Sequence, residues 1–260
     1  MTGILEKMEI PVLYEDKDTL VINKPVGLVV NRAESIKGET VQDWADKRLK
    51  VSGSQIGDKL FLQRSGICHR LDKETSGCLI IAKSPESLRY YLRLFKDRRI
   101  AKSYTALVHG RVEPDHGEVR LPLKRSLFDR EKWQVHYEGK RAITEWQVIN
   151  RFIFSGHEHW GDALTLLSIN LKTGRTHQIR VHMSFLGWPI FADDKYLNKK
   201  FSGADRKYLS HHFLHAEMIQ FSSFEGKKVV VKAPLPGDSE IFLSSLQGQA
   251  LKISSNARMN

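Results

Sequence analysis

Hydrophobic and polar positions alternate with a period of two in several stretches of this chain, the mark of strands with one buried face. Residues 12–14 and 19–22 make a first pair, joined by the polar turn Glu15-Asp16-Lys17-Asp18. Asn23-Lys24-Pro25-Val26-Gly27 then breaks the pattern. Pro25 lacks a donor and Gly27 tolerates positive φ, so a tight turn is expected there. The unbroken apolar run Cys78-Leu79-Ile80-Ile81-Ala82 reads as a buried strand. Residues 103–109 alternate again, with Tyr104, Ala106 and Val108 on one side. Further strands are expected over 142–149 and 164–171, and a strand pair over 214–221 and 228–232 about the turn Glu225-Gly226.

Helical spacing appears between these runs. Thr40 is placed to cap a short helix through Arg48, with Val41, Trp44 and Ala45 as its buried side. Ser84 caps the next, Pro85 takes its first position and Glu86 complements its dipole. Leu88, Tyr91, Leu92 and Phe95 should be buried there, while Arg89, Arg93 and Lys96 share another face. Thr176 is expected to cap a helix to about Leu186, closed by Gly187 and Pro189. Asp238 is expected to cap a final short helix with Ile241, Phe242 and Leu246. Residues 52–59 read as a loop, where a lid or a substrate-contacting segment could lie. Neither internal repeats nor a Pro-, Gly- or Ser-rich linker appear. The simplest fold class is α+β: one domain around an extended, mainly antiparallel sheet with flanking helices.

Charge narrows the partner. The 260 residues carry a net charge of +11, which points to an anionic partner, nucleic acid first and an acidic membrane surface second. Lys124, Arg125, Arg130, Lys132, Lys140 and Arg141 are interleaved with Phe128, Trp133 and Tyr137, a mixture suited to charge contact and stacking on nucleic acid, although Glu138-Gly139 marks part of this segment as a hairpin. The two cysteines, Cys68 and Cys78, lack zinc or redox spacing and read as apolar fillers of a reduced protein. No run reaches membrane-spanning length and the N-terminus lacks a signal-peptide core, so a cytoplasmic protein is expected. His157 and His159, His177 and His182, and His211, His212 and His215 cluster without a metal-site pattern. With neither P-loop nor dinucleotide fingerprint, no metal and no cofactor are expected.

The candidate chemistry gathers in His69-Arg70-Leu71-Asp72-Lys73-Glu74-Thr75-Ser76-Gly77, just before the buried strand. A carboxylate beside a strand end, with an Arg two residues before it and a Lys after it, suits catalysis; a charged turn facing water has the same composition. A second candidate is the strand end Lys172-Thr173-Gly174-Arg175, where a helix N-terminus with Arg175 beside it would make an anion site. Arg180, one turn further, is placed to pair with a carboxylate from elsewhere.

His69 to Gly77 closely resembles the central motif of the RluA-type RNA pseudouridine synthases. The resemblance continues in Asn23 to Gly27, in Lys102-Ser103-Tyr104-Thr105-Ala106-Leu107-Val108-His109-Gly110, in Thr173 to His182 and in Leu214-His215-Ala216, in the family's order and over about residues 12–236. One departure is Ala192, within Pro189 to Tyr196, where the family usually has Gly. A catalytic domain is expected over 12–248, after an extension at 1–11 and before a tail at 249–260 whose polar composition suggests fraying. The resemblance also implies a member without the small RNA-binding domain that precedes the catalytic domain in some relatives.

The implied reaction is isomerisation of uridine to pseudouridine in ribosomal RNA or tRNA, with the base flipped out and no cofactor. By resemblance Asp72 is the catalytic aspartate, Arg180 its ion-pair partner, and Tyr104 the residue that stacks on the flipped base. Arg70 would fill the space that base leaves, and Lys24, Lys102 and Arg175 would contact phosphates. The expected partner is RNA, with no membrane, no obligate protein partner and a monomeric state. The competing reading is a non-catalytic RNA-binding or RNA-folding protein on the same domain. A metal-dependent hydrolase using the His clusters is a third.

Overall fold

The first alternating pair forms strands β1 (Val12–Glu15) and β2 (Thr19–Lys24), antiparallel to each other. Asp16 closes their turn by accepting the backbone N–H groups of Asp18 at 2.9 Å and Thr19 at 2.7 Å. This computed structural model describes residues 9–50, 57–155 and 162–256, with side chains through Leu246. The chain divides into two units: Met1–Ile100 with Met218–Pro234, and Ala101–Glu217 with Leu235–Asn260.

In the first unit β2 pairs antiparallel with β3 (Ser76–Ala82), so that Lys24 stands opposite Gly77. Helix α1 (Val41–Leu49) starts at a reciprocal capping box between Thr40 and Asp43. Helix α2 (Lys59–Arg64), capped by Asp58, replaces the end of the expected loop. It escaped the periodicity because one side chain, Phe61, is all it buries, too few to show a period. The rest of the expected lid, residues 52–56, lies outside the described residues. Helix α3 (Pro85–Lys96) begins at Ser84 and Pro85 as expected, and Arg89, Arg93 and Lys96 are exposed. Its buried side turns slightly from the expected one: Leu88, Tyr91 and Leu94 are fully inside, Leu92 and Phe95 at the margin. They pack with Phe61, Ile80, Phe221 and Val231. Phe221 belongs to β10 (Leu214–Ser222), which pairs antiparallel with β11 (Lys228–Lys232) around the turn at Gly226.

The second unit is built on β4 (Ala101–His109), β5 (His116–Val119), β8 (Thr144–Ile153) and β9 (Ala163–Leu171). Every pairing in the order β4-β9-β8-β5 is antiparallel. Strands β6 (Leu123–Arg125) and β7 (Trp133–Val135) form a separate hairpin. Its partner turn at His136 to Gly139 matches the expected one, with the Gly139 N–H donating to His136 O at 2.8 Å. Helices α4 (Gln178–Phe185), α5 (Lys199–Asp205) and α6 (Gly237–Asn256) follow. The core gathers Leu107, Phe152, Leu164, Phe191, Phe213 and Phe242.

Two expected caps are corrected. Thr176 does not cap α4: the helix starts after His177, at a left-handed φ of 54° and with no side-chain cap. Gln178 organises the turn instead. Its Oε1 accepts from the Thr173 hydroxyl at 2.8 Å and the Arg175 N–H at 3.0 Å, and its Nε2 donates to Ile143 O at 2.9 Å. Asp238 lies inside the first turn of α6, where it accepts from His211 Nε2 at 3.1 Å rather than standing before the helix. With no proline to stop it, α6 reaches Asn256, into the stretch expected as tail.

Candidate active site

Asp72 sits half-buried in the loop that enters β3, in the first unit. That loop is held from several sides. The His69 ring accepts the Ile80 N–H on Nε2 at 3.0 Å and packs on Phe95, centroid to centroid at 4.6 Å. Upstream, Gly66 O accepts from Ala82 N–H at 2.8 Å, and a Cβ on Gly66 would collide with the Ala82 carbonyl. Thr75 N–H closes a turn back to Asp72 O at 3.2 Å. Leu71, Thr75 and Ser76 are buried, while Arg70 and Lys73 are exposed.

Lys24 supplies the remaining restraint and is corrected from its expected place. It is 0% exposed, too deep to reach a phosphate on the surface. Its ammonium donates to three carbonyls: Pro25 at 2.7 Å, Leu28 at 2.9 Å and Lys73 at 3.0 Å. The Gly27 N–H, at φ 82°, donates to the same Lys73 carbonyl at 2.9 Å. The Asn23 to Gly27 turn is therefore stapled to the residue after Asp72. Burial pushes the Lys24 pKa down to about 7, against the pull of the Asp72 carboxylate, which favours the charged form.

In the second unit, Tyr104 lies in β4 opposite Ile169 and is almost wholly buried. Lys102, at the start of β4, also has a pKa pushed down by burial, to about 8. Its ammonium lies against the turn into α4, where a Cβ on Gly174 would stand 3.2 Å from it. Lys102 and Arg175 are thus brought to one turn. Arg175 donates from Nε to Arg141 O at 3.1 Å. The helix end beside them is occupied by the Gln178 side chain, not left open as an anion site.

Arg180 projects from α4 and is 3% exposed. Its Nε and Nη2 each donate at 2.7 Å to Asp193, one to each carboxylate oxygen, in a forked pair. Asp193 also accepts the backbone N–H groups of Lys195 at 2.9 Å and Tyr196 at 3.2 Å. The guanidinium beside it holds its carboxyl below the usual range, against the opposing effect of burial. The Tyr196 ring lies 5.1 Å from the Arg180 guanidinium, and its hydroxyl meets His177 Nδ1 at 2.8 Å. Sequence reasoning missed Asp193, Tyr196 and Gln178 as members of this cluster. The available signal was a pair of aspartates, Asp193-Asp194, directly after the apolar run Pro189-Ile190-Phe191-Ala192.

Several of the described histidines serve hydrogen bonds. His182 sits between Thr144 Oγ1 at 2.8 Å and Leu121 O at 2.9 Å, and His109 faces Asp205 at 2.8 Å. Among the described residues no three His, Cys, Asp or Glu side chains converge as a metal site would require. His157 and His159 lie outside those residues. No helix among the described residues is long and apolar enough to cross a membrane.

Residues 18–185 match the family model described as RNA pseudouridylate synthase. The uncharacterized RNA pseudouridine synthase YlyB of Bacillus subtilis (strain 168) is 34% identical over 94% of this chain and 75% of its own length. The ribosomal large subunit pseudouridine synthase D of Buchnera aphidicola subsp. Acyrthosiphon pisum (strain APS) is 37% identical over 80% of this chain and 61% of its own. Among solved structures, human RNA pseudouridylate synthase domain containing 1 superposes with a TM-score of 0.68 at 26% identity, over 91% of this chain and 86% of that one.

Proposed function

Because the chain belongs to the RNA pseudouridylate synthase family and is an RluA-type enzyme that isomerises uridine to pseudouridine in RNA, we propose that Asp72 performs the reaction and that its substrate is a structured ribosomal RNA or tRNA. The supporting observation is the restraint on Asp72: a half-buried carboxylate between a turn at Thr75 and a lysine stapled to the neighbouring carbonyl. A turn whose side chains merely faced water would need no buried ammonium beneath it.

In this reading the target base is flipped from its stack, and Asp72 attacks C1′ of the ribose or removes the C2′ proton. The glycosidic C–N bond breaks, the uracil turns, and its C5 joins C1′. Tyr104 stacks on the base and accepts the proton that leaves C5. Arg70, exposed beside Asp72, fills the space the base vacates. Family resemblance pairs Arg180 with the catalytic aspartate, and the proposal keeps that role, to hold the carboxylate ionised. Lys102 and Arg175 orient the substrate backbone. The protein works as a monomer in the cytoplasm, its catalytic domain spanning 12–248.

Asp72→Asn tests this directly. The amide is nearly isosteric, so folding and RNA affinity should persist while tritium release from C5-labelled uridine in RNA falls to background. Turnover in a folded Asp72→Asn protein would remove Asp72 from the chemistry.

A further inference from the structure

The β6–β7 hairpin presents apolar surface that no core claims. At its tip Phe128 is 96% exposed and Leu127 74%. The tip is nonetheless an ordered turn. Ser126 N–H donates to Lys132 O at 2.9 Å, and Lys132 N–H to Asp129 O at 3.0 Å. The Ser126 hydroxyl accepts the N–H groups of Phe128 and Asp129, both at 3.3 Å, and Asp129 accepts that of Glu131 at 2.9 Å. The backbone thus fixes the turn through its own polar groups, and the Phe128 ring takes no part in holding it. Single exposed apolar side chains are ordinary. Here two neighbours stand together on a rigid support.

The flanks decide what could cover them. Residues 122–141 hold six Lys or Arg against three carboxylates, which disfavours a basic partner, a second copy of this +11 chain included. Arg125, Arg130 and Lys132 enter no ion pair among the described residues, and Arg125 lies over the Trp133 ring at 5.8 Å. Phe128 stands in sequence between Arg125 and Arg130, and aromatic rings interleaved with cations bind unpaired bases and their phosphates.

The root of the hairpin leads to the Arg180 cluster. Leu123 packs with Ala142 and Val181, Glu131 pairs with Lys195 at 2.5 Å, and the Trp133 N–H donates to the Tyr196 hydroxyl at 2.9 Å. Tyr196 is the ring that lies against Arg180. The tip is therefore carried on the same framework as a candidate active-site residue.

We propose that this hairpin is a finger for single-stranded RNA, in which Phe128 stacks on an unpaired base while Arg125, Arg130 and Lys132 take the flanking phosphates. The proposal rests on the reading of the chain as an enzyme of RNA and adds to it a contact that selects unpaired regions.

The test uses the full chain and two fluorescein-labelled probes, a mixed-sequence single-stranded RNA and the matching perfect duplex. Phe128→Ala should weaken single-strand binding about tenfold, the loss expected for one base–aromatic stack, and leave duplex binding unchanged. Phe128→Leu, apolar without an aromatic face, should lose as much, and Phe128→Trp should restore the affinity. Single-strand affinity of Phe128→Ala within twofold of the parent overturns the finger. So does full affinity in Phe128→Leu, or an equal loss on the duplex. A parent that dimerises through this hairpin, read as a dimer by light scattering that Phe128→Ala dissociates, also overturns it in favour of a second copy. If Phe128→Ala is unchanged while Asp72→Asn has lost tritium release, the finger falls and the enzyme stands. A parent that neither binds RNA nor releases tritium removes both.

Discussion

Lys24 in the first unit and Arg180 in the second are both buried cations, and they solve the same electrostatic problem differently. Lys24 has three carbonyl oxygens around its ammonium and the pull of the Asp72 carboxylate for a counter-charge. Neutral dipoles offset part of the lost hydration, and the lysine pKa falls to about 7. Arg180 has a carboxylate in forked contact, and that carboxylate is further held by two backbone N–H groups. A guanidinium does not lose its proton in such a site, whereas a buried lysine does so readily. The Arg180 side is thus a fixed charge. The Lys24 side titrates near neutral pH, directly under the loop that holds Asp72.

The largest effect should come from breaking the fixed pair. Asp193→Ala leaves the Arg180 guanidinium buried without its fork and strands the Lys195 and Tyr196 N–H groups. It should cost about 3–5 kcal/mol, read as unfolding free energy in urea. Arg180→Lys keeps the charge but cannot reproduce two parallel hydrogen bonds, so turnover should drop even where the protein stays folded. Unaltered turnover would show that the fork itself is dispensable.

Lys24→Met should cost less, about 1–3 kcal/mol, because water can reach some of the carbonyls it abandons. Its kinetic signature separates positioning from phosphate binding. Loss of the staple lets the Asp72 loop drift, lowering kcat roughly ten- to a hundredfold with KM little changed. A rise in KM at constant kcat would restore the phosphate role that burial argues against.

The same lysine sets a smaller, pH-dependent difference. Its folded pKa is depressed to about 7 from the usual 10.5, so between those values the unfolded chain binds the proton more readily. The penalty is complete below about pH 7 and fades as the pH rises toward 10. Unfolding free energy of the parent, measured relative to Lys24→Met, should therefore increase over that window. Asp193 behaves in the opposite sense: its pKa is lowered, so its contribution is present above the ordinary carboxylate range and is lost only in acid. A flat difference between parent and Lys24→Met from pH 7 to 10 would mean that the three carbonyls keep the ammonium charged throughout.

These two sites also mark how far the sequence could be read. Strands β1, β2, β3, β4, β9, β10 and β11 followed from alternation or unbroken apolar runs, and Thr40 and Ser84 marked their helix starts correctly. Short elements with little buried surface, such as α2 and β5, left no period to detect. The motif residues were legible as types, but their partners were not. Nothing in Asn23 to Gly27 says that the ammonium of Lys24 ends on Lys73 O, 49 residues on, because a carbonyl has no sequence signature. Arg180 was read as needing a carboxylate, and the Asp193 oxygens it holds come from a turn whose shape only the fold supplies. Thr176 was a sound cap by type and lost to the longer reach of Gln178.

The smallest effect concerns Ala192, the residue before the Arg180 partner. Its φ is 60°, in the left-handed region, and it is completely buried. That backbone explains why glycine would be at home here, since a Cβ in this region costs about 1–2 kcal/mol. Ala192→Gly relieves the strain, yet it gives up a methyl packed in the core with Phe191 and Phe213, worth about 0.8 kcal/mol, and frees the unfolded chain by about 0.4–1 kcal/mol. The terms cancel to within about 1 kcal/mol, a Tm change of no more than about 4 °C for a chain of this size. Ala192→Val adds a branched side chain to the same left-handed, filled position and should destabilise by several times as much. The strain is held by the Ala192 N–H, which donates to Asp205 Oδ2 at 2.9 Å, while that oxygen also meets His109 Nε2 at 2.8 Å. Ala192→Gly should therefore leave turnover unchanged, because the Asp205 anchor and the Asp193 fork both survive it. A loss of turnover in a variant of unaltered stability would mean that the Cβ, rather than the backbone, sets the position of Asp193.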